Sequence, residues 1–308
     1  MRDVLATDQV CELRKLVRPC QFGEGGAQVN QQVVSATKTG ENAGPFEDQR
    51  QQLINQLSNY IDVSEVDAGS NGLTLTTSAG SPLVVGNQSF ALTTQANTTT
   101  GFQDVYDNGS DITSQISGGA LAGEIQIRDQ EIPSVQNSLD TLAYNLSTAV
   151  NTQSTKGFDL NGNPGGSLFT PLTQVAGSAA SLSVAITDPS LIAASGTAGP
   201  TNSGDNSNAN ALLALQNNNI VAGQTPLGYY SDLVFKIGND VSTAQSTQQA
   251  GSQTLLQLQN LQGGVSGVDI NEEAANLMRF QTAYQASAQV ATVINTLLQT
   301  TINMVNPA

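Results

Sequence analysis

Two stretches in the first half of the chain carry apolar residues at the spacing of an α-helix. Steps of three and four, as one buried helix face requires, predict a helix over roughly residues 45–62, with Pro45 near its first turn. Apolar residues between positions 132 and 149 follow a heptad spacing. Pro133 lies inside that pattern and predicts a kink or a restart rather than one unbroken helix from Leu121.

The period changes to two between residues 63 and 117, where short β-rich runs alternate with Gly, Asn and Ser. The Asn-Gly dipeptides at 71–72 and 108–109 are typical turn sequences. This stretch predicts a small antiparallel β unit whose strands expose Thr and Ser on one face. A β-rich run at 181–186 predicts a second β element between residues 167 and 204, followed by a polar linker.

The C-terminal helix carries the most informative pattern. Asp269 or Asn271 can cap its start, and the acidic pair at 272–273 suits the electropositive first turn. A helix of about 34 residues would be roughly 50 Å long, and its narrow apolar stripe indicates a partner helix rather than a sheet. Nine positions of a seven-residue repeat lie in register, and we call them the assembly seam: Leu277, Phe280, Tyr284, Ser287, Ala291, Ile294, Leu298, Thr301 and Val305.

The same repeat allows a second interpretation, in which the partner helix belongs to the same chain. A turn at Gly263-Gly264 would let residues 241–261 pack on residues 277–305 as an intramolecular bundle. The two interpretations differ in whether the seam is buried within the chain. The residues available for the bundle contact are Val241, Leu255, Leu258 and Leu261.

Composition excludes several classes of function. Ten Lys and Arg residues against 25 Asp and Glu residues give a net charge of −15, which opposes binding to nucleic acid or anionic lipid. The chain contains no histidine, which removes the imidazole of catalytic triads, Cys-His dyads and common zinc sites. No apolar run approaches the ~18 residues of a membrane span, and the start lacks the apolar core of a cleaved signal. We therefore expect a protein that is not an enzyme and does not insert into a membrane.

Three short motifs imitate functional sites without meeting their requirements. Residues 35–40 contain S-x-x-K and K-T-G strings, but one lysine cannot serve both, and a polar loop is favoured. Residues 159–163 imitate the start of a calcium loop, yet Pro164 and Thr170 stand where that loop needs Gly and Glu, so a turn is favoured. The acidic pair at 272–273 points in two directions and suits a helix N-terminus. No catalytic, cofactor-binding or metal-ligating residue is predicted.

The first 26 residues differ from the rest of the chain. Both cysteines and four of the ten basic residues lie within the first 20 positions. Because this composition is not repeated anywhere later, we expect the segment 1–26 to lie outside the fold.

Four motifs resemble those of bacterial flagellar axial proteins, and among these the hook-associated protein 1 family of the hook-filament junction. The resemblance covers residues 27–308 in order and is loose at 63–117 and 167–204. The family's N-terminal helical part is not matched. The motifs are VDINEEAANLMRFQTAYQASA at 268–288, FEDQRQQLINQL at 46–57, IRDQEIP at 127–133 and GFDLNGNP at 157–164.

The resemblance implies a structural building block, exported through the flagellar type III channel without a cleaved signal and working outside the cell at the hook-filament junction. It implies several partners: copies of the chain itself in a ring or helical layer, the hook protein, the second junction protein, and an export chaperone on the C-terminal helix. No cofactor is implied. Two alternatives remain: another axial protein, such as the second junction protein or the hook subunit, and a secreted adhesin-like binding module.

The fold class that follows is α+β: an elongated multi-domain chain of helical rod and coiled-coil segments with small antiparallel β insertions. The expected segments are 1–26 (atypical), 27–62 (helical rod), 63–117 (β unit), 118–157 (helical rod), 158–204 (mixed β and loop insertion), 205–262 (helical rod) and 263–308 (C-terminal coiled-coil helix).

Overall fold

The computed structural model describes residues 23–67, 69, 72–199, 204–266 and 270–305. They belong to two compact units, divided between Ser231 and Asp232. Helices make up most of the described residues, and two small antiparallel sheets accompany them, so the predicted α+β class is confirmed. Residues 1–22 lie outside the described residues, and the expectation for them stays a prediction.

Two helices open the described part of the chain. The first, α1, covers residues 23–39, and the second, α2, covers Gly44–Ser58. Gly40 (φ +76°) ends α1 in a left-handed turn, which lets the next N–H donate to the Ala36 carbonyl at 2.9 Å. The helix predicted over 45–62 is therefore found as α2, with an earlier end.

Two expectations for this region need correction. Residues 23–26 belong to α1, and the glycines at both ends of this stretch are buried, although the predicted boundary placed them outside the fold. Residues 35–39 form the last turns of α1 rather than a polar loop. The reason is tertiary: the buried Asn30 side chain donates to the Leu73 carbonyl and accepts from the Leu73 N–H, both at 2.9 Å, and so holds α1 on the β unit.

Two antiparallel sheets follow α2, with strand orders β1-β2-β3-β4 and β5-β6-β7. The strands are β1 (Ser64–Asp67), β2 (Leu73–Thr76), β3 (Pro82–Val85), β4 (Gln88–Ser89), β5 (Thr93–Ala96), β6 (Gln103–Asp107) and β7 (Ser110–Asp111). In β2 the two leucines are buried and the two threonines are half-buried, which is the alternation that the sequence predicts. Asn108 and Gly109, both with positive φ, form the two-residue turn between β6 and β7.

The two sheets, α1, α2 and a third helix, α3 (Gly119–Gln126), share one hydrophobic core. Its least exposed large side chains are Leu57, Ile61 and Val84, each 2% exposed or less. Three of the predicted segments therefore contribute to a single core. Its buried members are Ala27, Ile54, Leu57, Ile61, Leu73, Leu75, Leu83, Val84, Leu92, Val105, Ile112, Ile116, Leu121 and Ile125.

The third helix continues into α4 (Ile132–Ser154) through a π-helical turn at Ile127–Glu131. The N–H of Ile132 bonds to the carbonyl of Ile127, five residues back, instead of to the carbonyl four residues back. Pro133, in the first turn of α4, has no N–H to donate, so the regular bonding pattern is interrupted here. The irregularity predicted at this proline takes the form of a π turn.

Two short helices follow α4 in an otherwise mostly irregular stretch. They are α5 (Ser178–Ser181) and α6 (Ser207–Ala214), and both pack on α4. The Asp140 carboxylate of α4 accepts the N–H groups of Gly177 and Ala179, at 2.7 and 2.8 Å. This contact ties the start of α5 to α4.

The β element predicted at residues 181–186 is present only as one bridge. Phe169 and Val184 pair there, with one backbone hydrogen bond on each side of the pair. Residues 182–188 are not helical, but only Val184 among them pairs with another segment, so they form a bridge and not a strand. The prediction of a second β element of strand length is therefore wrong.

Two long helices, α7 (Pro226–Ser266) and α8 (Ile270–Val305), form the last part of the described chain. The Thr225 hydroxyl accepts the Gly228 N–H at 3.1 Å and caps the start of α7. The break predicted at 263–264 is wrong, since both glycines lie inside α7. Each glycine disfavours a helix by about 1 kcal/mol relative to alanine, which the many helix-forming residues of α7 outweigh.

Candidate assembly surface

The nine residues of the assembly seam lie along one side of α8. Successive members are three or four residues apart, so they stay within one stripe over about eight turns. All seven whose side chains are described are exposed, including Phe280 at 75% and Tyr284 at 78%. Thr301 and Val305 occupy the matching helix positions, and their side chains lie outside the described residues.

No described part of α7 covers this seam. The α7 residues named for the bundle contact, Val241, Leu255, Leu258 and Leu261, are between 52% and 59% exposed, as open as the seam itself. The glycine pair that should form the connecting turn lies within α7. The intramolecular bundle is therefore contradicted, and the seam's role in assembly stays a prediction.

The helix that carries the seam is uncharged over most of its length. The sequence contains no Asp, Glu, Lys or Arg from Phe280 to Val305, although the whole chain has a net charge of −15. The same holds for α7 from Val241 to Ser266. Two copies of this acidic chain would therefore repel each other least where these neutral stretches meet.

Hydroxyl side chains on α8 do not oppose burial of its surface. The Ser287 hydroxyl, a member of the seam, donates to the Ala283 carbonyl at 2.8 Å. A hydroxyl bonded in this way can be covered by an apolar neighbour without leaving its donor unsatisfied. The same bond, to the carbonyl four residues back, is made by Thr282, Thr292, Thr296 and Thr300.

Outside the seam, α8 exposes Met278 and, further along, three more large apolar residues: Val290, Val293 and Leu297. They were not predicted from the sequence, because only the stripe that begins at Leu277 was considered. The signal was present, since these three residues are also spaced by three and four.

The other motifs singled out from the sequence have structural roles. Buried Asp159 uses its Oδ1 to accept the N–H groups of Asn161 and Asn163, both at 2.8 Å, so the calcium-like loop is a turn, as predicted. Ser35 and Lys38 are exposed on the last turns of α1.

In the described part of the chain, no three His, Cys, Asp or Glu side chains gather closely enough to hold a metal ion. The described helices also include none that is long and apolar enough to cross a membrane.

Two further carboxylates hold loop residues in place through hydrogen bonds. Asp205 accepts the Ser207 N–H at 3.0 Å and the Ser195 hydroxyl at 2.9 Å, and these bonds hold the pKa of its carboxyl well below the ordinary value. Burial raises the pKa of Asp62, but its hydrogen bonds, chiefly those from Ser78, lower that pKa by more. Both carboxylates are therefore charged at neutral pH, and Asp62 joins segments that are distant in sequence, since it also accepts from Ser117.

A mostly buried arginine side chain joins the second sheet to the π turn, and this contact was not predicted from the sequence. Arg128 lies in the π turn with a side chain 11% exposed. Its guanidinium donates to the Gln103 carbonyl at 2.6 Å, lies 3.6 Å from the Asp104 carboxylate and stacks 5.2 Å from the centre of the Phe102 ring. It also makes two hydrogen bonds to Asp129, at 2.7 and 2.9 Å. No local spacing reveals this contact, because its partners on and beside β6 lie about 25 residues away.

Two protein-family models match the chain. The helical domain of the flagellar hook-associated protein FlgK matches residues 24–169, which contain the shared core, the π turn and α4. The C-terminal domain of the flagellar basal body rod proteins FlgEFG matches residues 262–304. The second match includes every seam residue except Val305.

Curated relatives extend the similarity along the chain. Flagellar hook-associated protein 1 of Salmonella typhimurium strain LT2 is 26% identical over 378 residues, covering 90% of this chain and 68% of the relative. The Escherichia coli strain K12 protein of the same name is 26% identical over 373 residues with the same coverage. The Bacillus subtilis strain 168 protein is 26% identical over 319 residues, covering 89% of this chain and 61% of the relative. A solved structure, the flagellar hook junction protein FlgK from Burkholderia pseudomallei, is 29% identical, with a TM-score of 0.45 over 55% of this chain and 31% of that chain.

These similarities coincide with the motifs that carried the resemblance. Three of the four motifs lie within residues 24–169, and the fourth lies within residues 262–304. The chain spans about two thirds of the length of the Salmonella and Escherichia relatives. The chain is therefore similar to flagellar hook-associated protein 1 along 90% of its length, and its C-terminal helix is similar to the rod-protein C-terminal domain.

Proposed function

We propose that this chain is a structural subunit of the bacterial flagellum that joins the hook to the filament outside the cell. The observation that carries the proposal is the open, neutral, heptad-patterned surface of α8, which lies inside the match to the rod-protein C-terminal domain. Such a stripe is stable only when another helix covers it. The FlgK helical-domain match and the names of the relatives favour the junction over other axial positions.

The proposed role depends on helix surfaces that pack together and involves no chemical reaction. Copies bury their seams in a ring or helical layer, which contacts the hook protein on one side and the second junction protein on the other. Before export through the flagellar channel, a chaperone bound to α8 covers the same seam. The acidic surface of the rest of the chain keeps unassembled copies apart.

The free energy gained by burying one seam indicates that a stable assembly needs several contacts per copy. Fully burying its five largest described side chains would gain roughly 10 kcal/mol. Association costs roughly 4–15 kcal/mol in lost freedom of motion. A single seam contact is therefore marginal, and a stable layer requires several neighbours that hold each copy at once.

A matched pair of double variants tests the proposal. Leu277→Asp with Leu298→Asp puts two charges on the seam, and Gln285→Asp with Gln299→Asp puts the same charges on the far side of α8. Each purified chain is incubated with isolated flagellar hooks and sedimented. We expect the unchanged chain and the far-side variant to pellet with the hooks and the seam variant to stay in solution. Equal pelleting of both variants would refute the role of the seam.

A further inference from the structure

The first sheet, β1 to β4, has an exposed edge strand. β1 stands at one end of the strand order, and among the described residues it pairs with β2 and with no other strand. All four of its residues are exposed. An edge of this kind offers backbone N–H and carbonyl groups to which an extended segment of another molecule can bond.

The side chains of β1 are arranged in the opposite sense to those of an ordinary half-buried strand. Residues directly opposite each other in an antiparallel pair lie on the same face of the sheet. Glu65 is opposite Leu75, which belongs to the shared core. Asp67 is opposite Leu73, which belongs to the same core. Both acidic residues therefore lie on the core side of the sheet, whereas Val66, 53% exposed, lies on the outer face.

Contacts within the fold do not explain these acidic residues. Glu65 makes no hydrogen bond or ion pair with another residue in the described part of the chain. The Asp67 Oδ1 atom accepts the Gly69 N–H at 2.8 Å, a bond that the side chain of an asparagine also makes. An apolar residue at position 65 would instead extend the core. Charged side chains that point inward are one means by which natural sheets keep an edge strand from pairing.

The other edge strands offer less to a second strand. β4 and β7 have two residues each, and very short edge strands pair weakly. β5 has four uncharged residues, but its neighbour β6 contributes one buried apolar side chain, Val105, whereas β2 contributes two. β1 is therefore the edge beside which an added strand would find the most apolar surface.

We infer that Glu65 and Asp67 prevent β1 of one copy from pairing with β1 of another. In an antiparallel contact centred on Val66, Glu65 of each copy would face Asp67 of the other, and like charges directly opposite each other destabilise a strand pair. Moving the carboxylates out of water would add a further cost. This inference goes beyond the proposed function, because it concerns a contact that the chain avoids.

A matched pair of variants tests this role. Glu65→Thr with Asp67→Asn removes both charges and keeps an acceptor for the Gly69 N–H. Glu65→Lys with Asp67→Asn differs from it at one residue and retains a charge on the core side of β1. Both are made in a chain that also carries Leu277→Asp and Leu298→Asp, so that contacts through the assembly seam do not contribute. Sedimentation velocity over a wide range of concentration measures association, and circular dichroism checks the fold.

The expected result depends on the charge at position 65. The threonine variant forms dimers or larger species as its concentration rises, and the lysine variant stays monomeric. Because lysine reduces the net negative charge of the chain more than threonine does, weaker overall repulsion would instead favour association of the lysine variant. In the associated threonine variant, hydrogen exchange of the β1 amides should slow at least about tenfold.

A control variant makes the same change of charge elsewhere. Glu47→Thr with Asp48→Asn alters two exposed residues of α2, and this variant should stay monomeric. If the threonine double variant does not fold, Glu65→Thr alone, which keeps the bond from Asp67, is put to the same measurements.

Three results would overturn the inference. They are a folded threonine variant that stays monomeric at every concentration, a lysine variant that associates as strongly as the threonine variant, and association without slower exchange in β1. The pelleting assay with hooks decides the proposed function separately, because its variants alter α8 and leave β1 unchanged.

Discussion

Two helices of this chain, α4 and α8, share a heptad pattern and differ in how the rest of the chain covers it. In α4, Ala143 and Ser147 are buried, and α5 and α6 pack on the helix. In α8, none of the described side chains is buried. The repeat residues of α4 are half-buried or at most 40% exposed, whereas the large ones described on α8 are 50–78% exposed. Burial, rather than periodicity, separates a helix face that the chain partly covers from one that it leaves open.

The two regions also differ in their charged residues. The α3–α4 region uses charged side chains in its packing, as at Arg128, Asp104 and Asp140. The open part of α8 has no charged residue after Arg279. The open surface of α8 is thus neutral, and charged side chains lie where the first unit packs on itself.

The largest expected effect comes from a leucine of the core. Leu57 is 2% exposed, so Leu57→Ala removes buried surface and leaves a cavity, and we expect the free energy of unfolding to fall by about 3 kcal/mol. Leu298→Ala, at a position 56% exposed, should change it by less than about 0.5 kcal/mol. Urea denaturation of both variants measures the difference. Equal losses of stability would contradict the contrast between core and open helix.

The next effect concerns the arginine in the π turn. Arg128→Met removes the ion pair and the bond to the Gln103 carbonyl, and we expect local stability of the second sheet to fall by about 2 kcal/mol. Hydrogen exchange should accelerate in β5 and β6 and stay unchanged in β2 and β3. Lys236→Met, which removes an exposed pair with Asp240, is the control and should cost less than about 0.5 kcal/mol. Equal acceleration in both sheets would show that Arg128 supports the whole unit instead.

The smallest effect is a dependence on pH. Hydrogen bonds from Thr113, Ser190 and Ser207 lower the pKa values of Asp111, Asp188 and Asp205 respectively. A pKa that is lower in the folded state adds stability above the unfolded value of about 3.9, and this stability is lost as the pH falls further. The first unit should therefore weaken in urea denaturation below about pH 4.

The matched comparison is α8, which has no carboxylate side chain between Phe280 and Val305. Its helical circular dichroism should not change over the same range of pH. Asp205→Asn should reduce the acid sensitivity of the first unit. A first unit equally stable at neutral pH and below about pH 4 would show that these hydrogen bonds do not favour the charged carboxylates.

Local patterns predicted much of the fold. The helices α2 and α8 follow from periodicity, and the turn at Asn108-Gly109 follows from its turn residues; both signals act over a few residues. The cap predicted at Asp269 lies outside the described residues. Residues 35–39 became helical instead of a loop because α1 packs on the β unit. Residues 181–186 form no strand: α5 includes Ser181, and only Val184 of the remaining residues pairs with another segment. The local sequence does not reveal whether a partner strand lies beside such a stretch.

The candidate site, too, could be predicted from the sequence only in part. The seam from Leu277 onward was visible as a repeat, but its openness depends on where the rest of the chain packs and could not be predicted. The spacing of Val290, Val293 and Leu297 was visible too, and it was missed because one stripe had already explained the helix. Arg128 could not be assigned a role, because its partners reach it only once β6 has folded against the π turn.

Hydrogen exchange along α8, in the free chain and in the chain bound to isolated hooks, tests the central claim most directly. An uncovered helix gains little stability from packing, so its amides should exchange rapidly in the free chain. On hooks, the account predicts at least about tenfold slower exchange along α8, with little change in the shared core of the first unit. If the α8 amides exchange at the same rate in both states, the claim that a partner covers α8 in the assembly is contradicted.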